Sequence, residues 1–203
     1  MTVAPTASPS RLAPRVARVV SEVLAPIVVI PLVTIVVSVH SADTLLRGLG
    51  FAAVAVFFAA GLPYMALLAG VRRGRFDDRQ VRARAQRPAL LAFTLASVVA
   101  GLVALQVLQA PRDLFALMAA MVAGMAITLL VSNFWKISIH TSCVAGVIAS
   151  LALLVDARAW WLSPLVVLTG WSRTLLRDHS LAQAAVGTIV GAAVAATVLT
   201  VLT

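Results

Sequence analysis

Seven apolar runs, each close to the length a helix needs to cross a bilayer, leave this chain few ways to fold. They fall at Val23–Val39, Leu49–Val71, Ala89–Leu108, Leu114–Val131, Lys136–Val155, Ala159–Leu175 and Leu181–Leu202, and a crossing helix takes roughly 17–25 residues. In hydrocarbon every backbone N–H and C=O must find its partner inside the protein, so runs of this length form helices. Over 203 residues the chain is 62% hydrophobic and 11% charged, against about 25% charged in a soluble domain. The expected fold is all-α: a polytopic transmembrane helical bundle of six to seven spans, with its functional site at one membrane face. The fifth and sixth runs are separated only by Asp156, Ala157 and Arg158, and they reach crossing length only by including the polar ends near Ser138 and Arg173. Residues 1–22 are expected to be a disordered cytoplasmic tail and residues 23–203 a single membrane domain. The tail resembles the charged start of a signal peptide, but the apolar run after Glu22 is long and lacks a small-residue cleavage site.

The net charge is +9, and Lys136 is the only lysine. Arginine is the residue suited to planar, bidentate contact with phosphate; it is also what a cytoplasmic loop carries. The segment after the second run holds Arg72, Arg73, Arg75, Arg79, Arg82, Arg84 and Arg87, and the tail holds Arg11, Arg15 and Arg18. Both segments are expected on the cytoplasmic side. Counting spans forward returns Asn133–His140 and Trp171–His179 to that same side, with His40, Pro111 and Asp156 opposite. Trp135 and Trp171 then mark one surface, and Trp160 with Trp161 the other, as an aromatic belt does. Cys143 stands alone, which excludes a disulfide framework or a cysteine metal cluster and leaves packing. Gly187 and Gly191, spaced GxxxG in the last run, read as a helix-packing face. Pro26 and Pro31 in the first run read as kinks or helix ends.

Three polar segments share the predicted cytoplasmic face: Arg79 to Pro88, Ser138-Ile139-His140, and Ser172-Arg173 through His179 to Gln183. Their residue types suit phosphoryl transfer. A neutral imidazole is a competent nucleophile near neutral pH, and a second one can deliver a proton to a leaving oxygen. Guanidinium groups supply fixed donors where charge accumulates on phosphoryl oxygens. Ionisable groups held at a membrane are costly and mark function by default.

The three segments resemble the signatures of the type 2 phosphatidic acid phosphatase family, written KxxxxxxRP, PSGH and SRxxxxxHxxxD, in order, side of the membrane and internal spacing. Ser172, Arg173 and His179 keep the interval of the third. The chain departs at Gln80 for the lysine, with Arg79 beside it, at Ile139 for the glycine, and at Gln183 for the final aspartate; Lys136 and Ile137 fall where the proline would be. The resemblance implies a metal-independent, cofactor-free lipid phosphatase working through a phosphohistidine. In it His179 would be the nucleophile, His140 the general acid, and Arg173 a catalytic phosphoryl contact. Arg87 and Ser138, with Ser172, would complete the phosphate cradle, and Arg79 or Lys136 would stand in for the lysine. Gln183 would orient His179 from one helical turn away, accepting its Nδ1 proton without supplying the charge of an aspartate. A different carboxylate, Asp178, Asp77 or Asp78, is the alternative for that work, and of these Asp178, adjacent in sequence, is not favoured. The implied partners are a lipid-linked phosphate and the membrane, with no nucleic acid, and the implied location is a bacterial-type cell membrane, multi-pass, with the site facing the cytoplasm. Two alternatives stand beside this: a degenerate lipid-phosphate binder without turnover, for which Gln80 and Gln183 speak, and a magnesium-dependent intramembrane prenyltransferase, for which Asp77-Asp78 speaks.

Overall fold

The computed structural model describes residues 12–75 and 87–203, with the side chain of Arg87 outside the described set. The described chain is helical throughout, without a strand: α1 Leu12–Val23, α2 Pro26–Ser41, α3 Leu45–Val56, a π-turn Phe57–Gly61, α4 Leu62–Arg72, α5 Arg87–Val107, α6 Arg112–Phe134, α7 Ile139–Leu154, a 3₁₀ turn Ala157–Leu162, α8 Pro164–Leu175 and α9 Leu181–Leu202. Side-chain caps fix four of the starts. Thr44, Ser138, Asp156 and Ser180 each accept a backbone N–H from the turn they precede, satisfying donors that a helix start would otherwise leave open.

Four helical stretches are long and apolar enough to cross a membrane: Leu45–Arg72, Pro88–Val107, Arg112–Phe134 and Leu181–Leu202. The pair α1 and α2, bent by 40°, makes a fifth if counted as one broken span. The expectation of six or seven crossings is therefore matched in length and composition only to four or five. The shortfall lies in the fifth and sixth apolar runs. α7 has 16 residues, and the sixth run is divided into a 3₁₀ turn of 6 residues and an α8 of 12, because Ser163-Pro164 restarts the helix where an uninterrupted one was expected. The expected tail is also not irregular throughout: from Leu12 it is helix, and it seats Ala17 and Ser21 against α8. Its first eleven residues lie outside the described set.

Tight apolar packing concentrates at one end of the bundle. Val37 closes α2, Leu105 lies near the end of α5, Leu114 and Met118 in the first turns of α6, and Leu199 near the end of α9, all fully buried. Large apolar side chains elsewhere stand outward, Leu46, Leu130 and Val167 among them, as expected where lipid is the solvent. The opposite end opens into a cavity.

Two local devices shape that open end. In the π-turn, Leu62 N–H donates to Phe57 O, so the next carbonyl in this register, Phe58 O, would look to residue 63, which is a proline without an N–H. Ser97 of α5 supplies the missing donor, its hydroxyl 2.6 Å from Phe58 O. The second device is the contact between α7 and α9, the most extensive in the bundle. A Cβ on Gly187 would come within 2.5 Å of Ser138 O and Thr141 Oγ1, and one on Gly191 would collide with the carbonyl of Ser142. The GxxxG pair is thus the packing face expected, and it permits backbone to approach backbone. At that distance Ser138 N–H donates to Gln183 O at 3.3 Å and the Thr141 hydroxyl to Ala184 O at 2.9 Å.

Removing the donor in Ser97→Ala is expected to cost about 1 kcal/mol by depriving a part-buried carbonyl of its donor, seen as a lower unfolding midpoint in detergent. Gly191→Ala should cost at least as much, about 3 kcal/mol, because backbone cannot give way as a side chain does. Gly50→Ala, where an added Cβ meets nothing within 4 Å, should leave the midpoint unchanged.

Candidate active site at the open end of the bundle

His140, Arg173 and His179 line one cavity of about 450 Å³. They come from α7, α8 and the turn into α9, and the remaining walls are supplied by α1, α2, α4, α5 and α6, with Ser21, Glu22, Tyr64 and Thr94 as further polar groups. The two imidazoles and one guanidinium singled out in the sequence therefore share one space.

His179 is positioned by the start of α9. Ser180 caps that helix, and its reciprocal partner is Gln183: the Ser180 hydroxyl accepts from Gln183 N–H at 3.3 Å, and Gln183 Oε1 accepts from Ser180 N–H at 3.1 Å. The same Oε1 lies 3.2 Å from His179 Nδ1. A carbonyl oxygen can only accept, so this contact puts the ring proton on Nδ1 and the lone pair on Nε2. Gln183 thus stands in the orienting position expected for it, held there by the capping box. His179 itself is buried, whereas His140, at the second position of α7, is half-buried.

Arg173 is 2% exposed, and a buried guanidinium must be paired to be tolerable. Its Nη1 donates to the Ser21 hydroxyl at 2.7 Å and faces Asp178 Oδ2 at 3.2 Å. The turn that brings Asp178 back to Arg173 is a helix C-cap. Asp178 N–H bonds to Arg173 O and Arg177 N–H to Thr174 O, with Arg177 at φ 58°, the left-handed position that glycine takes most easily. Asp178 is accordingly the counter-ion of Arg173.

The other expected phosphate ligands stand behind the wall. Ser138 caps α7, Ser172 donates to Thr169 O at 2.8 Å within its own helix, and Lys136 Nζ donates to Asp178 O at 2.6 Å; none of the three lines the cavity. Each of the three bonds to backbone close to His140, Arg173 or His179. Arg79 and Gln80, with Asp77 and Asp78, lie outside the described residues. Arg87 opens α5 two turns before Thr94, but its side chain is likewise outside them.

A second cavity, about 100 Å³ and mostly apolar, shares Met125 and Ile139 with the first. Gly124, Gly146 and Gly191 line it together with Cys143; the lone cysteine is a packing residue at its wall. Among the described residues no group of three or more His, Cys, Asp or Glu side chains is placed to hold a metal ion. Sequence reasoning passed over Ser21 and Glu22, although Leu12, Val16, Val19 and Val23 recur at helical spacing and mark an amphipathic helix rather than a tail. Compared with known proteins, the chain matches no family model, no curated protein and no solved structure.

Because Gln183 serves both the capping box and His179, Gln183→Leu is expected to destabilise the protein by about 1–2 kcal/mol. Gln183→Glu keeps the length and an acceptor for both contacts, and its thermal midpoint should match the parent.

Proposed function

We propose that this chain is a membrane-embedded lipid phosphatase of the type 2 phosphatidic acid phosphatase kind, hydrolysing a phosphomonoester or diphosphate on a lipid through a phosphohistidine. The observation that carries the reading is the convergence of His140, Arg173 and His179 on one cavity, with Nδ1 of His179 paired to Gln183 Oε1. That tautomer is the one a nucleophilic imidazole needs.

In the first step Nε2 of His179 attacks phosphorus, the bond from phosphorus to the lipid oxygen breaks, and His140 protonates the departing oxygen. Arg173, already desolvated, donates to the equatorial oxygens where charge develops, and Arg87, with Arg79 nearby in sequence, is assigned to the same oxygens. In the second step water attacks the phosphohistidine and His140 takes its proton. The P–N bond then breaks, releasing inorganic phosphate and neutral His179. Gln183 fixes the ring but brings no charge to the phosphorylated imidazole, so turnover is slower than an aspartate partner would allow. The headgroup enters from the cytoplasmic face of a bacterial-type membrane. The tail stays among the helices, and the apolar slot beyond Met125 and Ile139 is its natural continuation. Polyprenyl phosphates, isoprenyl diphosphates and phosphatidate-like lipids share the required chemistry.

The test is phosphate release from a panel of these lipids by purified protein with a metal chelator present. His179→Ala should lower the rate by about a thousandfold or more and abolish acid-labile labelling of the protein. His140→Ala should cost about 10²–10⁴-fold, and less on a substrate whose leaving group needs no proton. Gln183→Glu should raise the rate, because a carboxylate adds the charge that the amide lacks beside the phosphorylated imidazole. Release that continues in His179→Ala would end this proposal.

A further inference from the structure

The N-terminal helix carries three distinct faces. Ala17 and Ser21 are buried against α8. Leu12, Val16, Val19 and Val23, at intervals of four, three and four residues, are 44–69% exposed on a second face. Arg15, Arg18 and Glu22 are exposed on a third, beside the apolar stripe. Among the described residues this stripe is left exposed, and its basic border tells what covers it. A helix with aligned apolar residues and flanking arginines lies in the plane of a membrane interface, its apolar side in the acyl boundary and its cations among anionic headgroups. Continuity agrees, since α1 runs into the strongly apolar α2 through a bend of 40° at Leu24-Ala25, turning from the surface into the bilayer.

The same helix touches the cavity. Ser21 and Glu22 line it, and the Ser21 hydroxyl accepts from Arg173 Nη1 at 2.7 Å, a bond spanning 152 residues of sequence. We propose that α1 is an in-plane helix whose seating on an anionic lipid surface sets Arg173 through Ser21, so that the phosphate site is complete only at the membrane interface. Ser21 is thereby a positioning residue: it holds one edge of the guanidinium while Asp178 holds the charge. The role of Ser21 rests on the reading of Arg173 as a phosphate contact, whereas the seating of α1 does not.

The experiment uses the full chain in nanodiscs of phosphatidylcholine alone or mixed with phosphatidylglycerol. In a Cys143→Ala background, a fluorophore at Val16→Cys should be quenched by lipid bearing a headgroup-proximal nitroxide, at least about twofold more than one at Arg18→Cys, and more strongly with phosphatidylglycerol present. Equal, weak quenching at both positions would overturn the seating and leave the phosphatase reading intact. Orthovanadate serves as the probe of the site. Its affinity should fall about tenfold in Ser21→Ala, as when an orienting partner is lost elsewhere. The fall should be similar in the Val16→Glu/Val19→Glu pair, with the thermal midpoint unchanged and the affinity restored in Ser21→Thr. Vanadate affinity equal to the parent in both variants would overturn the coupling. Absence of vanadate binding by the parent would instead overturn the phosphate reading and the role of Ser21 with it.

Discussion

Everything at the open end of the bundle depends on how closely α9 can approach α7. Gly187 and Gly191 remove the side chains that would hold the helices apart, and the space is taken by the backbone of Ser138 to Ser142. In a membrane there is no hydrophobic force between two apolar helices, so contact of this closeness and the hydrogen bonds it permits must supply the association. The bonds from Ser138 N–H to Gln183 O and from Thr141 to Ala184 O sit one turn from His140 and His179. The two imidazoles are therefore brought together by the contact that holds the fold.

The buried arginine is the second organising element. A guanidinium 2% exposed would be intolerable alone, and the turn after α8 exists in the shape that answers it. The chain reverses through Arg177 in a left-handed conformation, returns Asp178 to the side chain of Arg173, and delivers His179 immediately afterwards. Lys136 closes the same turn from the start of α7 by bonding to Asp178 O. Charge neutralisation and placement of the nucleophile under the proposed mechanism are consequences of one loop.

The end remote from the site is packed and the near end is not. Leu105, Leu114, Met118 and Leu199 fill the first, whereas at the second His140, Arg173 and His179 line a cavity of about 450 Å³. The energetic cost of an interrupted helix in hydrocarbon is held down by Ser97, which donates where the proline cannot. Under the proposed function a lipid ligand would bring its own apolar volume to this space.

What the sequence determined by itself is what depends on period and nearest neighbours along one helix. The apolar runs made the all-helical class unavoidable, Gly187 and Gly191 declared a packing face, and the four-residue interval from His179 to Gln183 already implied a shared face. Tertiary structure decided the rest, because it concerns which groups meet across tens to hundreds of residues. It divided the sixth run at Ser163-Pro164 and turned Ser138, Ser172 and Lys136 toward backbone. It gave Arg173 to Asp178 and Ser21, and it made a wall of the cavity out of a segment that reads as a tail. A polar side chain in a bilayer takes the partner that best satisfies it, and that partner is fixed by the folded path of the chain, which no local pattern records.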